Sequence, residues 1–492
     1  MEKTEKDKIC HTMKFIDVTS PDSVALLFFV IFVSTTVFFI LYNANFSLGD
    51  DAEILTTICK GIPHEGLLYQ NPSGRFNWSR SEYNILLLTP FFHSPFAYYF
   101  LTAAEFIIFS YSCFSILRLY LDGKRSSQTS GFFLYGICLL TVLFQARLFF
   151  ILVRPEKLLV TLLAVLICFL LRSREPDEYG HTRIRKGRTC MMRVARQCLP
   201  FIIAFVICFS KEPVFGALLV LAGYILLFMR SNIRLRVFAV WLVIVSVLYI
   251  SLYAVLVFPK ITGRYGKTNY SFAQSLMLTM RCCPFLVFPL GLSLAVLARN
   301  VKDLLAGTFK PCLEDALLFS GTAYAVAFFI LRMSHDDYFR PCFIMALPAF
   351  LLYGKKVHAI NPSGRWVAVV LCWLLCAFYM GKLIGLAARR VKYGSQDMDS
   401  MKEVARRIDG KSRFLCYDNG SDSAVTCMLH SMPAFISYIN GTDCSDFTFV
   451  PAVPALDSRD VYVISWGSIP EYEGSGYQKL PITIFHVYRL RD

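Results

Sequence analysis

Charged residues are scarce in this chain. Asp, Glu, Lys and Arg make up 17% of its 492 residues, against about a quarter in an ordinary soluble domain. The shortage excludes a water-facing surface for most of the chain. A polar face is missing too. The runs from Ser23 to Asn43 and from Val237 to Phe258 lack it, whereas a surface helix of a soluble protein keeps one. No short apolar stretch with a small-residue cleavage site opens the chain. Residues 1–22 are polar and carry Lys3, Lys6, Lys8 and Lys14, so the first span is expected to remain as an uncleaved anchor. Cysteine is plentiful at 17 copies, yet no Cys-x-x-Cys pair and no Cys/His metal spacing is present. Cys113, Cys138, Cys168, Cys208, Cys372 and Cys376 lie inside apolar runs and act there as small hydrophobes. A disulfide among Cys59, Cys416, Cys427 and Cys444 stays open. The net charge of +15 comes without an aromatic-interleaved basic platform, which argues against nucleic acid as a partner.

What is present is long apolar runs. Hydrophobic residues make up 55% of the chain and the mean hydropathy is +0.51. The runs match a hydrocarbon core of about 30 Å at about 1.5 Å per helical residue. Eleven spans are expected, near 24–43, 98–121, 131–153, 157–171, 199–210, 213–229, 237–258, 284–298, 314–332, 341–353 and 366–388. The connections 122–130, 172–198, 230–236, 299–313 and 354–365 all carry Lys or Arg, most densely from Arg172 to Arg196. Basic loops stay on the cytoplasmic side, so the N-terminus is expected inside and the C-terminus outside. The expected domains are a cytoplasmic segment 1–22, a transmembrane catalytic domain 23–388 with a first outer loop 44–97, and an extracytoplasmic α/β domain 389–492. In the last, 401–408 reads as a helix and 413–417, 460–465 and 483–490 as strands bounded by turn signals.

The unusual polar residues fall in the outer loops. Asp50, Asp51 and Glu53 follow the first span directly. Asp50 and Glu53 share a helix face. They suit a general base acting on a sugar hydroxyl, and equally the capping box of a surface helix. Further along the loop come Arg75, Trp78, Glu82 and Tyr83. Aromatic faces stack on sugar rings and a guanidinium grips phosphate, although interfacial aromatic belts have the same composition. Two short outer turns carry charge, Arg154-Pro155-Glu156-Lys157 and Lys211-Glu212-Pro213. Such charges either snorkel to the interface or face a cavity that takes an anionic lipid head group. The turn before the tenth span holds His335, Asp336, Asp337 and Arg340. It reads as a substrate site or as a solvated turn, and as a metal site only weakly.

Together these positions resemble the C-type glycosyltransferases, membrane enzymes that use polyprenyl-phosphate sugars. Asp50-Asp51 corresponds to the acidic pair that opens the first outer loop in that superfamily. Arg154-Pro155-Glu156 is similar to its Arg-Pro-acid turn, and Lys211-Glu212 to its Lys-acid turn. Tyr338-Phe339-Arg340-Pro341 is loosely similar to an Arg-Tyr-x-x-Pro pattern, with Tyr and Arg in inverted order. The stretch through Glu82-Tyr83-Asn84 resembles a bacterial branch that decorates O-antigen with glucose.

The resemblance implies an all-α polytopic fold with a small C-terminal α/β domain, set in the bacterial inner membrane with a periplasmic C-terminus. It implies an enzyme, a hexosyltransferase moving a sugar such as glucose from a polyprenyl-phosphate donor to a glycan or lipid-linked acceptor such as O-antigen. Asp50 or Asp51 is then the base, with Asp50 matching the first acid of the pair. Arg75, Arg154, Lys211 and Arg340 bind the donor phosphate. Glu53, Trp78, Glu82, Tyr83, His335, Asp336 and Asp337 line the substrate. No cofactor and no metal is expected. An O-antigen polymerase and a transporter are the other readings. The acidic pair and the soluble tail argue against the first. The near absence of buried charge in the spans, Glu105 and Lys382 aside, argues against the second.

Overall fold

A computed structural model describes residues 21–42, 44–46, 54–55, 58, 85–86, 88–121, 128–152, 154–173, 190–257, 271–333, 335–360, 365–407, 413–417, 423–440, 447–450, 453–454, 461–465, 468–473, 476–480 and 486–490. Each expected apolar run forms a helix. In chain order these are α1 (Pro21–Tyr42), α2 (Pro95–Leu121), α3 (Gln128–Ala146), α4 (Pro155–Arg172), α5 (Cys190–Ser210), α6 (Val214–Phe228) and α7 (Ile233–Leu252). After a short amphipathic helix, α8 (Phe272–Cys282), come α9 (Val287–Leu305), α10 (Leu313–Ile330), α11 (Asp336–Ile360) and α12 (Arg365–Arg407). Seven helices among the described residues are long and apolar enough to cross a membrane. The chain is an integral membrane protein.

The lipid-facing sides are visible in the exposure pattern. Leu27, Phe28, Ile31 and Phe38 of α1 and Val370, Leu374 and Phe378 of α12 are each more than half exposed. An apolar surface of this extent belongs against hydrocarbon, not water. Between helices, small residues permit close approach. Gly321 of α10 faces α11, and a Cβ there would sit 2.9 Å from the Cys342 carbonyl oxygen and 3.0 Å from Met345 Cβ. That contact fixes the height of the first turns of α11 against α10.

Two helices run past the lengths expected of them. α11 begins at Asp336, because Asp336 and Asp337 in its first turn suit the positive helix N-terminus. α12 holds 43 residues, about 65 Å at about 1.5 Å per residue. The expected boundary at 389 therefore falls within a continuous helix, and the expected tail helix 401–408 is its last two turns. Beyond it lies a five-stranded sheet of β1 (Arg413–Tyr417), β2 (Phe447–Val450), β3 (Val461–Ser465), β4 (Tyr477–Leu480) and β5 (His486–Leu490), in the order β2-β1-β3-β5-β4. β1 pairs parallel with β2 and β3, while β5 pairs antiparallel with β3 and β4. A further helix, α13 (Ser423–Asn440), connects β1 to β2, as a parallel pair requires. Cys416 is buried on β1 as a free thiol.

The tail domain rests on the end of the bundle where the first loop begins and ends. Tyr438 of α13 donates to the His93 carbonyl at 2.8 Å, and its ring meets Phe46 at 5.3 Å, edge to face. Phe46 in turn packs on Tyr98, while Tyr99 donates to the Asn45 carbonyl at 3.0 Å. This is the tail-side end of the bundle.

Candidate active site

The first two turns of α11 organise the tail-side end. Asp336 and Asp337 precede Arg340 by four and three residues, so all three lie along one helix face. Arg340 Nη2 meets Asp336 Oδ2 at 2.8 Å and its Nε meets Asp337 Oδ1 at 3.0 Å. Its Nη1 donates to the Phe144 carbonyl, and the guanidinium lies 4.7 Å over the Phe144 ring. Gln145 Nε2 donates to the Arg340 carbonyl at 2.9 Å, tying α3 to α11. Only 3% of the Arg340 side chain is exposed.

Two turns bring further arginines. After α3 the chain makes one 3₁₀ turn, Arg147–Phe150, whose Leu148, Phe149 and Phe150 are buried. Phe149 packs on Phe106 and Phe109 of α2. Arg147 is left pointing outward, 47% exposed, with Nη1 3.3 Å from Asp336 Oδ2. Arg154 is extended at the N-cap of α4, with Nε 3.7 Å from Asp337 Oδ2. Its neighbours go elsewhere. Glu156 takes the Lys211 ammonium at 2.6 Å. Lys157, fully buried, reaches Glu105 at 3.6 Å and donates to Thr102 Oγ1 at 3.0 Å. Lys211 also sits 4.6 Å over the Tyr338 ring. His335 Nδ1 lies 3.5 Å from Asp336 and 3.4 Å from Asp337.

The charges of the network tune one another. Burial pushes the Asp336 carboxyl up, but Arg340 and Arg147 outweigh it and hold the carboxyl below its ordinary value. Burial likewise raises Glu156, and the Lys211 ammonium overrides it. His335, Asp336 and Asp337 offer ligand atoms within 4.8 Å of one another. Both aspartates are already held by arginine, so a metal ion there would have to displace guanidinium groups.

Next to this network is an apolar cavity of about 870 Å³, running between α3, α9, α11 and α12. Leu140, Phe144, Phe285, Phe343, Leu375 and Tyr379 line it towards the tail side, and Tyr353 and His358 towards the other end. Phe144 belongs to both features, since it lines the cavity and carries Arg340 on its ring and carbonyl. Tyr379 lies within electrostatic reach of Arg340 and Asp336.

Six expected site residues thus come together: Arg154, Lys211, His335, Asp336, Asp337 and Arg340. Asp50, Asp51, Glu53, Arg75, Trp78, Glu82 and Tyr83 lie outside the described residues. Phe46, Ile54, Leu55 and Ile58, which flank the acidic pair in sequence, are buried. Sequence reasoning missed Arg147 and Gln145, and it missed the role of Lys157 as the partner of Glu105. It also missed a second polar network at the opposite end. There Asp315, fully buried, takes Arg299 Nη2 at 2.8 Å, Asn300 Nδ2 at 3.0 Å and the Tyr353 hydroxyl at 2.6 Å. Tyr120 donates to Glu314 at 3.0 Å beside it.

No family model matches this chain, and no curated protein matches it in sequence. Among solved structures it is similar to ArnT from Cupriavidus metallidurans bound to undecaprenyl phosphate. The identity is 14%, the match covers 94% of this chain and 97% of that one, and the TM-score is 0.50. The apo state of the same protein matches at 13% identity over the same shares, with a TM-score of 0.49. At that identity the first likeness speaks for architecture alone: the chain has an ArnT-like fold, a polytopic helical bundle with a small strand-containing C-terminal unit.

Proposed function

We propose that this protein is a membrane glycosyltransferase that moves a sugar from a polyprenyl-phosphate donor to an acceptor hydroxyl at the tail-side face. One observation carries the reading: the apolar cavity ends at the arginine network, with Phe144 shared between them. A cavity of hydrocarbon character that ends in cations matches a lipid chain that ends in phosphate. The likeness to a fold whose solved example holds undecaprenyl phosphate is consistent with it. The sugar is a hexose such as glucose and the acceptor a glycan such as O-antigen, as the resemblance in the first loop implies. The tail-side face is the outer face of the inner membrane, because the Lys- and Arg-rich connections belong to the other end.

In the reaction the acceptor oxygen attacks the anomeric carbon as the bond from that carbon to the phosphate oxygen breaks. Asp50 or Asp51 takes the hydroxyl proton. The lipid phosphate leaves with the bonding electrons and one more negative charge. Arg154 and Lys211 meet that charge, aided by Arg75 from the first loop, since preorganised cations aimed at developing charge are a large catalytic contribution. The tail domain selects the acceptor, because α13 rests on both ends of the first loop through His93 and Phe46.

Asp50→Asn and Asp51→Asn test the chemistry. One of them is expected to lower transfer by about 10²–10⁴-fold, the usual worth of a general base, with folding retained because Asn caps a helix as well as Asp does. Transfer is measured from a polyprenyl-phosphate sugar in liposomes. Near wild-type rates in both variants would remove the base and bring the transporter and polymerase readings forward.

A further inference from the structure

Three arginines meet two aspartates in the tail-side network, and they are not equivalent. Arg340 is spent. Its Nε and Nη2 are on Asp337 and Asp336, its Nη1 is on the Phe144 carbonyl, and its side chain is 3% exposed. A phosphate oxygen could reach it only by unpairing a carboxylate that is itself almost buried, which costs more than a new contact returns. Arg154 is partly open, with its Nε turned to Asp337 and 28% of its side chain exposed. Arg147 is 47% exposed and spends one nitrogen on a 3.3 Å contact to Asp336, a carboxylate that Arg340 already satisfies at 2.8 Å. Without Arg147 the network of Arg154 and Arg340 with Asp336 and Asp337 is neutral. With it, three positive charges face two negative ones, and the surplus sits on the most exposed member.

Resting on the donor assigned above, we infer that Arg147 is the residue that recognises the lipid phosphate at the mouth of the cavity, and that Arg340 is a positioning residue that holds Asp336 and Asp337 in place for it. The backbone at Arg147 is built for this. The 3₁₀ turn is locked by three buried apolar side chains, so the guanidinium projects from a rigid base one turn beyond Phe144, which lines the cavity. A preorganised fork of this kind binds phosphate with two parallel hydrogen bonds, which lysine cannot reproduce.

The test uses the full-length protein in detergent, with undecaprenyl phosphate and the uncharged undecaprenol as probes. Wild type is expected to bind the phosphate far more tightly than the alcohol. Arg147→Gln should weaken phosphate binding by roughly 10- to 100-fold, the worth of a charged hydrogen bond, and leave alcohol binding and thermal stability unchanged. Arg147→Lys should recover only part of the loss. Arg340→Gln should lower the unfolding temperature and weaken both ligands. If wild type does not distinguish phosphate from alcohol, the donor assignment itself fails. If wild type distinguishes them and Arg147→Gln does so equally well, the donor stands and the role of Arg147 is overturned.

Discussion

The two ends of the bundle use the same chemistry for different ends. At the end away from the tail domain, Arg299 spends Nη1 on the Tyr353 hydroxyl at 2.6 Å and Nη2 on Asp315 and Asn300 at 2.8 and 2.6 Å. Tyr353 closes the ring by donating to Asp315 at 2.6 Å. That ring joins α9, α10 and α11, and the carboxylate at its centre has no exposure. At the tail side the ion pairs are looser, at 3.3 Å for Arg147 and 3.7 Å for Arg154, whereas Arg299, although 37% exposed, meets its buried carboxylate at 2.8 Å. A ring of short bonds closed around a buried carboxylate serves as a clamp between helices. A network with open donors beside an apolar cavity is ready to take an anion. Degree of satisfaction, not residue type, separates the two.

The largest effect on stability is expected at Asp315. Asp315→Asn leaves Arg299 facing a neutral amide, and since Arg299 is itself 37% exposed and has Asp303 at 3.8 Å, the loss is about 1.5–3 kcal/mol, that of a hydrogen bond to a charged group. A marked fall in unfolding temperature in detergent is expected, while transfer per folded molecule holds. Reduced transfer in a stably folded variant would mean the clamp is part of the site. The mirror experiment is Arg154→Gln. Asp337 keeps Arg340 at 3.0 Å, so no carboxylate is stranded and unfolding should move little. Transfer should fall by about 10²–10³-fold, as when one preorganised donor is removed from a transition state. If stability falls and the rate does not, the two ends have been assigned the wrong way round.

Much of the fold is legible in the sequence because long apolar runs admit one physical solution in a bilayer. The strands β1, β3 and β5 also stand where alternating β-branched and aromatic residues put them. β2 and β4 do not announce themselves, being four-residue edge strands, and α13 is hidden by Pro433 within it. The site is half legible. Arg154, Lys211 and Asp336 stand out because charges in short turns between spans are conspicuous. Arg147 does not, since it lies inside the expected span 131–153 and only the 3₁₀ turn after Ala146 exposes it. Arg340 reads from sequence as a phosphate ligand. Its spacing from Asp336 and Asp337, four and three residues on a helix, already carried the opposite answer, that its partners are internal. Glu314 and Asp315 open the expected span 314–332. Their burial depends on Arg299 and Tyr120 returning from distant parts of the chain, which no local pattern encodes.

The smallest expected effect concerns acid, and it tests whether the tail-side ion pairs contribute stability at all. Asp336 and Glu156 are both held below their ordinary values of 3.8 and 4.5 by the neighbouring cations, despite burial pulling the other way. A carboxyl depressed in the folded state binds protons less readily there than in the unfolded chain. Its contribution is therefore complete above the ordinary value and is lost as the pH falls below it and through the folded value. Unfolding temperature should stay flat for these groups from pH 8 to 5 and decline below about 4.5. Glu156→Gln separates this from general acid damage. The variant lacks the Lys211 ion pair at every pH, so it should melt below wild type at pH 7, and the gap should narrow as wild-type Glu156 takes up its proton. A gap that stays constant down to pH 3, or widens, would show that the 2.6 Å contact between Glu156 and Lys211 adds nothing to the folded state beyond its shape.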